Sequence, residues 1–246
     1  MFGVNGTPYI SLDKYLQPQL DALESLKKDV AIGIAKVLSK KTGIDEYRNF
    51  VDYIYPKEFE NMGSYERISN FKPDPEIDKS ISNLSKREQQ IFYKMYYGLY
   101  STINYICIQD IAEWVAMMDP TDGDHFPFIK EWAKTLPFES IKVIRLIVND
   151  PGVKTLMHTD YDHDHLARMK AEGNSPRVKQ AIYINPFEHK KFYIWDEDTD
   201  TKHTINAKAS LWNFGDWHGA DASEYPAWSL MIHGEYTEEF RKQVLG

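Results

Sequence analysis

The sequence predicts an α+β protein, with a helical first half packed on a β-sandwich or barrel in the second half. Two observations predict it. Apolar residues recur at three- and four-residue steps up to about residue 135, and beyond Pro137 they fall into short β-branched runs. Those runs are separated by turn signals, beginning with Asn149-Asp150-Pro151-Gly152. The 246-residue length allows a substantial core without disulfide or metal staples. The expected division is a helical region over 1–135 and a β-region over 136–246, forming one continuous unit.

Residues 11–42 predict the first helix. Leu23, Leu26, Val30, Ile34 and Val37 share a face, with Ser11 as the cap, Pro18 as a kink or boundary and Gly43 as the stop. A short pattern over 44–55 ends before Pro56, and 57–85, with Pro73 and Pro75, predicts irregular surface. From Ser85 to about Met118, Phe92, Met95, Tyr96, Leu99, Ile103 and Ile106 give one stripe and predict a long helix ended by Asp119-Pro120. A short helix over about 127–135 closes the first half. Strands are expected at Ile141–Val148, Val153–His158, Val178–Asn185, Phe192–Asp196, Thr204–Asn206, Ser210–Phe214 and Ala227–His233. Seven short strands predict the sandwich or barrel. A last helix, Glu238–Val244, is expected outside it.

Charge and composition exclude several functions. Acidic residues outnumber basic ones, 37 to 29, for a net charge of −8, so general nucleic-acid binding is not expected. The single cysteine, Cys107, excludes an internal disulfide and a cysteine-rich zinc site. No apolar stretch approaches 18 residues, so no membrane partner is expected. The first ten residues have no basic start followed by an apolar run, and a cytoplasmic, reducing location is the expectation. Aromatic residues reach 14%, including 16 Tyr and 6 Trp, which suits both ring packing and pocket walls. Trp212, Trp217 and Trp228 are read first as core rings, with Trp212 and Trp228 also candidate substrate contacts.

The densest cluster of polar ligands is His158-Thr-Asp160-Tyr-Asp162-His163-Asp164-His165. Residues two apart on a strand face one side, so His158 and Asp160 can aim an imidazole and a carboxylate at one point. Sixty residues on, in Trp212-Asn-Phe-Gly-Asp-Trp-His218-Gly, a second histidine is expected just beyond a strand. Two histidines and a carboxylate on one face of a metal form the ligand set of non-haem Fe(II) oxygenases, which keep the opposite face open. The order of strands, Pro151-Gly152, the His-Thr-Asp triplet and His218-Gly219 resembles the double-stranded β-helix, or jelly roll, of 2-oxoglutarate/Fe(II)-dependent oxygenases. The stretch Leu136-Pro-Phe-Glu-Ser-Ile, Arg145, Pro151-Gly152, His158-Thr-Asp160 looks most like the aspartyl/asparaginyl β-hydroxylase and proline-hydroxylase branches.

This resemblance covers residues 136–236. It implies that His158, Asp160 and His218 bind Fe(II), and that 2-oxoglutarate and O2 are co-substrates. It further implies hydroxylation of an amino acid, a small metabolite or a protein side chain. Many members carry an arginine about ten residues after the distal histidine to pair with the far carboxylate of 2-oxoglutarate; here that position is Trp228. A buried dicarboxylate still needs a cation. Lys191 is the first candidate, then Lys179, which shares a face with Tyr183; Arg177 and Arg145 follow.

The remaining acidic run fits other readings less well. An EF-hand would require Gly at 165 and Glu at 171, where the chain has His165 and Ala171. Asp162 to His165 therefore reads as a loop or lid at the site, with Asp162 a weak substrate candidate and 166–174 an insertion. Two alternatives remain: a binuclear zinc hydrolase of metallo-β-lactamase-like type, in which Asp162 and His163 hold a second metal, and a non-catalytic jelly-roll binding module. Oligomeric state is not legible.

Overall fold

The computed structural model describes residues 2–42, 104–111, 120–149, 154–159 and 180–246. In chain order its elements are β1 (Tyr9–Ser11), α1 (Asp13–Thr42), β2 (Asn104–Asp110), a 3₁₀ turn (Pro120–His125), α2 (Pro127–Ala133), β3 (Phe138–Asn149), β4 (Thr155–His158), β5 (Ala181–Ile184), β6 (Phe192–Asp196), β7 (Thr201–Thr204), β8 (Ala209–Trp212), β9 (Trp217–Ala220), β10 (Ala227–Tyr236) and α3 (Glu238–Leu245). Two sheets carry the fold, one ordered β1-β8-β5-β10-β3-β2 and the other β4-β9-β6-β7. All named strand pairs are antiparallel. From β3 to β10 the chain passes repeatedly between the two sheets.

The larger sheet is buried on both faces, and its sequence shows it. On β3, Ile144, Leu146 and Val148 join a core shared with α1, α2 and α3, while Ile147 joins a second core between the sheets. On β10, Trp228, Leu230 and Ile232 face the helices and Met231 faces the inner core. A strand covered on both sides has no need of polar alternation, so these segments read as nearly continuous apolar runs. The inner core collects Ile147, Ala181, Tyr183, Trp212 and Met231 from the larger sheet and Phe192, Ile194 and Ala220 from the smaller one.

The helix α1 lays Leu16, Leu20, Leu23, Val30, Ile34 and Val37 into the outer core, the face its periodicity predicts. It begins two residues later than expected. Ser11 closes β1, and its Oγ accepts from the Asp13 amide at 3.4 Å. The Asp13 carboxylate ties the helix to β8 by accepting from the Ala209 and Lys208 amides at 2.7 and 3.2 Å. Pro18 lies inside the helix rather than ending it. Its fixed φ is helical, and the buried Leu16 and Leu20 hold the segment on the core at the loss of one bond to the preceding turn.

Several expectations change. The helix expected to run to Met118 gives way to β2, which pairs with β3 over Asn104–Asp110. Ile106, Cys107 and Ile108 are all buried, and a strand covered on both faces satisfies a three-residue apolar step as well as a helix does. A strand at Trp217–Ala220 is not legible because His218 and Gly219 are poor strand formers. The strand expected at Thr204–Asn206 lies at Thr201–Thr204 instead. The short helix after Phe126 and the terminal helix form as expected, the latter capped by Thr237 Oγ1, which accepts from the Phe240 amide at 3.3 Å. The patterns over 44–55, 57–85 and the first part of the stripe from Ser85 lie outside the described residues. Among the described residues, no helix is long and apolar enough to cross a membrane.

Candidate metal and anion site

The smaller sheet brings two histidines together. Strands β4 and β9 pair with His158 directly opposite His218, and the two imidazole centroids are 4.4 Å apart. His218 therefore lies within a strand, not beyond one. It is 1% exposed and His158 is 9% exposed, so both rings belong to the interior. His218 Nδ1 lies 2.9 Å from the Asp216 carbonyl oxygen. A carbonyl only accepts, so Nδ1 carries the proton and Nε2 the lone pair, the tautomer in which a metal-ligating histidine is commonly held.

A short network fixes the turn that carries this histidine. The Asp216 carboxylate accepts from the Gly3 amide at 2.7 Å and from Asn213 Nδ2 at 3.3 Å, and Asn213 Oδ1 accepts from the Gly215 amide at 3.1 Å. Burial pushes the Asp216 carboxyl up to about 6, with the Gly3 amide acting in the opposite sense. Next along β9, a Cβ on Gly219 would stand 2.7 Å from Tyr193 Oη and 2.9 Å from the Thr155 carbonyl oxygen. Glycine at this position is what lets β4 and β9 close on each other. Gly219→Ala is expected to lower stability by about 1–3 kcal/mol, measured by urea unfolding. Asp216→Ala, which keeps the carbonyl on His218 Nδ1 but frees the turn from Gly3 and Asn213, is expected to weaken Mn(II) binding by about 10-fold, read by calorimetric titration.

The second cluster lies deeper. Lys190 is 4% exposed, and its ammonium donates to Asn149 Oδ1 at 2.7 Å and Ser229 Oγ at 3.0 Å. Both partners are neutral. Burial pulls Lys190 down to about 7, far below the ordinary lysine range. Asn149 also donates to Thr155 Oγ1 at 3.1 Å, which puts this cluster at the start of β4 while His158 stands at its end. Three residues of strand separate the two, about 10 Å. Tyr183 lies in the inner core between them, its ring 4.5 Å from Phe192 and 4.8 Å from Trp212, and burial pushes its phenol well above the ordinary range. Phe192 and Trp212 each stand 5.8 Å from the His218 ring.

These positions sort the residues singled out from sequence. His158 and His218 come together; Tyr183 and Trp212 line the interior beside them; Arg145 lies on the inner side of β3, in register with Met231 of the inner core. Lys191 does not join them. It is exposed, on the side of β6 shared with Tyr193 and Trp195, whereas Phe192 and Ile194 form the inner side. The inward lysine is its neighbour Lys190. Trp228 likewise turns away, into the helix-side core, where its ring meets Phe187 edge-on at 5.4 Å. The interior position beside it is Ser229. Asp160, Asp162 to His165, Arg177 and Lys179 lie outside the described residues, as does the insertion 166–174.

Sequence reasoning missed Lys190, Asn149, Ser229 and Asp216. One signal was present: Phe192 and Ile194 are a more apolar alternating pair than Tyr193 and Trp195, so the inner parity of β6 extends back to Lys190. Two interior imidazoles on adjacent strands, one with a fixed tautomer, are donors that suit a divalent first-row metal.

No family model and no curated protein matches the chain. Solved structures do. A prolyl-4-hydroxylase of Pseudomonas putida is 10% identical, with 55% of this chain and 70% of that one covered, at a TM-score of 0.30. An oxidoreductase of the 2OG-Fe(II) oxygenase family from Burkholderia pseudomallei is 11% identical, with 53% and 66% covered, at 0.31. The viral collagen prolyl hydroxylase of Paramecium Bursaria Chlorella virus-1 is 11% identical, with 61% and 89% covered, at 0.28.

Proposed function

We propose that the protein is an Fe(II)- and 2-oxoglutarate-dependent dioxygenase that hydroxylates its substrate, built on a double-stranded β-helix of strands β3 to β10. The observation that carries the reading is the pairing of His158 with His218 at one end of an interior whose other end holds a buried lysine with only neutral partners. His158, Asp160 and His218 would hold the metal. When bound, it would supply activation of O2 coupled to the conversion of 2-oxoglutarate to succinate and CO2, with the second oxygen atom entering a C–H bond of the substrate.

The chain's own residues then have distinct tasks. The main-chain carbonyl of Asp216 holds His218 in the tautomer whose Nε2 would be the ligating atom, and the Asp216 carboxylate holds the turn that presents it. Lys190 pairs with the far carboxylate of 2-oxoglutarate, supported by Ser229 and Asn149, in place of the arginine absent at position 228. Phe192, Trp212 and Tyr183 keep water from the space between the two ends. The fit of a lysine here is chemical: a diacid with one end at the imidazoles needs a cation at the other, and Lys190 stands on Asn149, which bonds Thr155 at the start of β4.

The test is oxygen uptake by the iron-loaded protein with and without 2-oxoglutarate, together with calorimetric binding of 2-oxoglutarate to the Mn(II) form. Uptake that requires both iron and 2-oxoglutarate supports the proposal. Two bound metals with hydrolysis of an ester or lactam probe would favour the zinc hydrolase, and binding of neither metal nor 2-oxoglutarate would leave a binding module.

A further inference from the structure

We propose that Arg145 is the anchor for a carboxylate on the substrate, so that the molecule oxidised carries a free acid group near the reacting carbon. The inference rests on the dioxygenase reading and adds the substrate class to it.

Three observations carry it. First, Arg145 faces the interior: it pairs with Met231 on β10, Met231 pairs with Tyr183 on β5, and the same side of β3 continues to Ile147 of the inner core. Residues opposite one another in a sheet project to the same face. The row Arg145, Met231, Tyr183 therefore shares its inner face with the Tyr183 ring, which touches Phe192 and Trp212, the two neighbours of the His218 imidazole.

Second, one nitrogen of the guanidinium lacks a partner. Arg145 Nε is buried and makes no hydrogen bond. A buried donor of a charged group left unpaired is costly, and a carboxylate would satisfy it. Among the described residues, the positions in register with Arg145 on β2, β10 and β5 are Cys107, Met231 and Tyr183, none of them a carboxylate. Cys107, opposite Arg145 on β2, is held as a neutral thiol because burial pushes its pKa up, reinforced by Asp110. Among the described residues no carboxylate forms an ion pair with Arg145.

Third, Lys190 already serves the deep end. Arg145 and Asn149, the partner of Lys190, are four residues apart on β3, about 13 Å, with Ile147 between them on the same side. The two cations thus mark two separate anion positions on the inner side of the larger sheet. A guanidinium fork matches a carboxylate in two parallel hydrogen bonds, which fixes orientation as well as affinity. A substrate held this way presents a carbon next to or near its acid group to the metal.

The experiment uses the full chain loaded with Mn(II) and 2-oxoglutarate, with binding followed by thermal shift and calorimetry. The probes are the free L-amino acids and small organic acids, the amides of the same compounds, and end-blocked peptides carrying Asp or Glu. The expected result is that at least one acid binds, that its amide binds at least about 10-fold more weakly, and that Arg145→Met removes the preference while 2-oxoglutarate affinity stays within about 2-fold. Arg145→Lys should recover part of it. Response to free acids identifies a small molecule and response to blocked peptides alone an acidic side chain; both support the carboxylate. The inference is overturned if no acid binds while 2-oxoglutarate does, if acid and amide bind alike, or if Arg145→Met loses 2-oxoglutarate instead. The last result would make Arg145 a co-substrate residue and leave the dioxygenase reading standing. If the wild type binds no 2-oxoglutarate, both readings fall.

Discussion

Lys190→Met is expected to reduce 2-oxoglutarate affinity by 100-fold or more, in a protein that still folds. The ammonium is fully interior and bonds only Asn149 and Ser229, so the variant loses a charge-assisted contact and leaves the far carboxylate buried without a counter-ion. The first loss alone is worth about 1.5–3 kcal/mol, and an uncompensated buried charge about 3–5 kcal/mol, so about 100- to 1000-fold is a conservative expectation. Lys191→Met, which changes an exposed side chain, should leave affinity unchanged. Calorimetric titration of the Mn(II) form measures both, and equal behaviour of the two variants would remove Lys190 from the site.

The same lysine sets a pH dependence whose sign can be worked out. Burial holds it at about 7 in the free protein, and a bound carboxylate raises it. Binding above that pH therefore takes up a proton. Affinity for 2-oxoglutarate should be flat below about pH 7 and fall toward tenfold per pH unit above it. The adjacent His189 does not confuse the reading, since burial pushes its ring below the usual histidine range. Stability moves the other way. Between about 7 and 10.5 the unfolded chain binds the lysine proton and the folded chain does not, so the stability of the 2-oxoglutarate-free protein rises with pH across that window, by up to roughly 5 kcal/mol. Lys190→Met should flatten that rise, and urea unfolding at a series of pH values tests it.

Loss of the metal on His218→Ala or Asp160→Ala is the other large expected effect. With one metal held by two imidazoles and a carboxylate, removing any of the three leaves an incomplete set, and metal content after dialysis should drop from one per chain to near zero. Asp162→Ala and His163→Ala should keep the metal. The contrast matters because a binuclear hydrolase groups the residues differently: Asp162 and His163 would hold a second metal, and two metals per chain with one lost in Asp162→Ala would end the dioxygenase reading. His218→Ala also leaves a gap among Phe192, Trp212 and His158, so a thermal unfolding curve should accompany the metal analysis.

The sequence by itself determined the elements whose signals are local. The periodic face of α1, the β-branched runs of β3 and β10, the strand at Phe192–Asp196 and the capped terminal helix are set by neighbours a few residues away, and they formed where expected. The His158-Thr-Asp160 triplet and the later His218 stand out in the sequence for the same reason, as residue types that can bind a metal at a strand-like spacing. What only the tertiary structure decided is which side of each strand faces inward and which strands are neighbours. β2 reads as helix until the edge of β3 is there to pair with it. β9 becomes a strand because β4 and β6 flank it, and that pairing sets His218 against His158. A one-residue change of parity separates Lys191 in solvent from Lys190 in the core, and Trp228 among the helices from Ser229 inside. Strand side chains alternate with period two, so a sequence pattern names two candidate faces, and only the packing of two sheets against each other chooses between them.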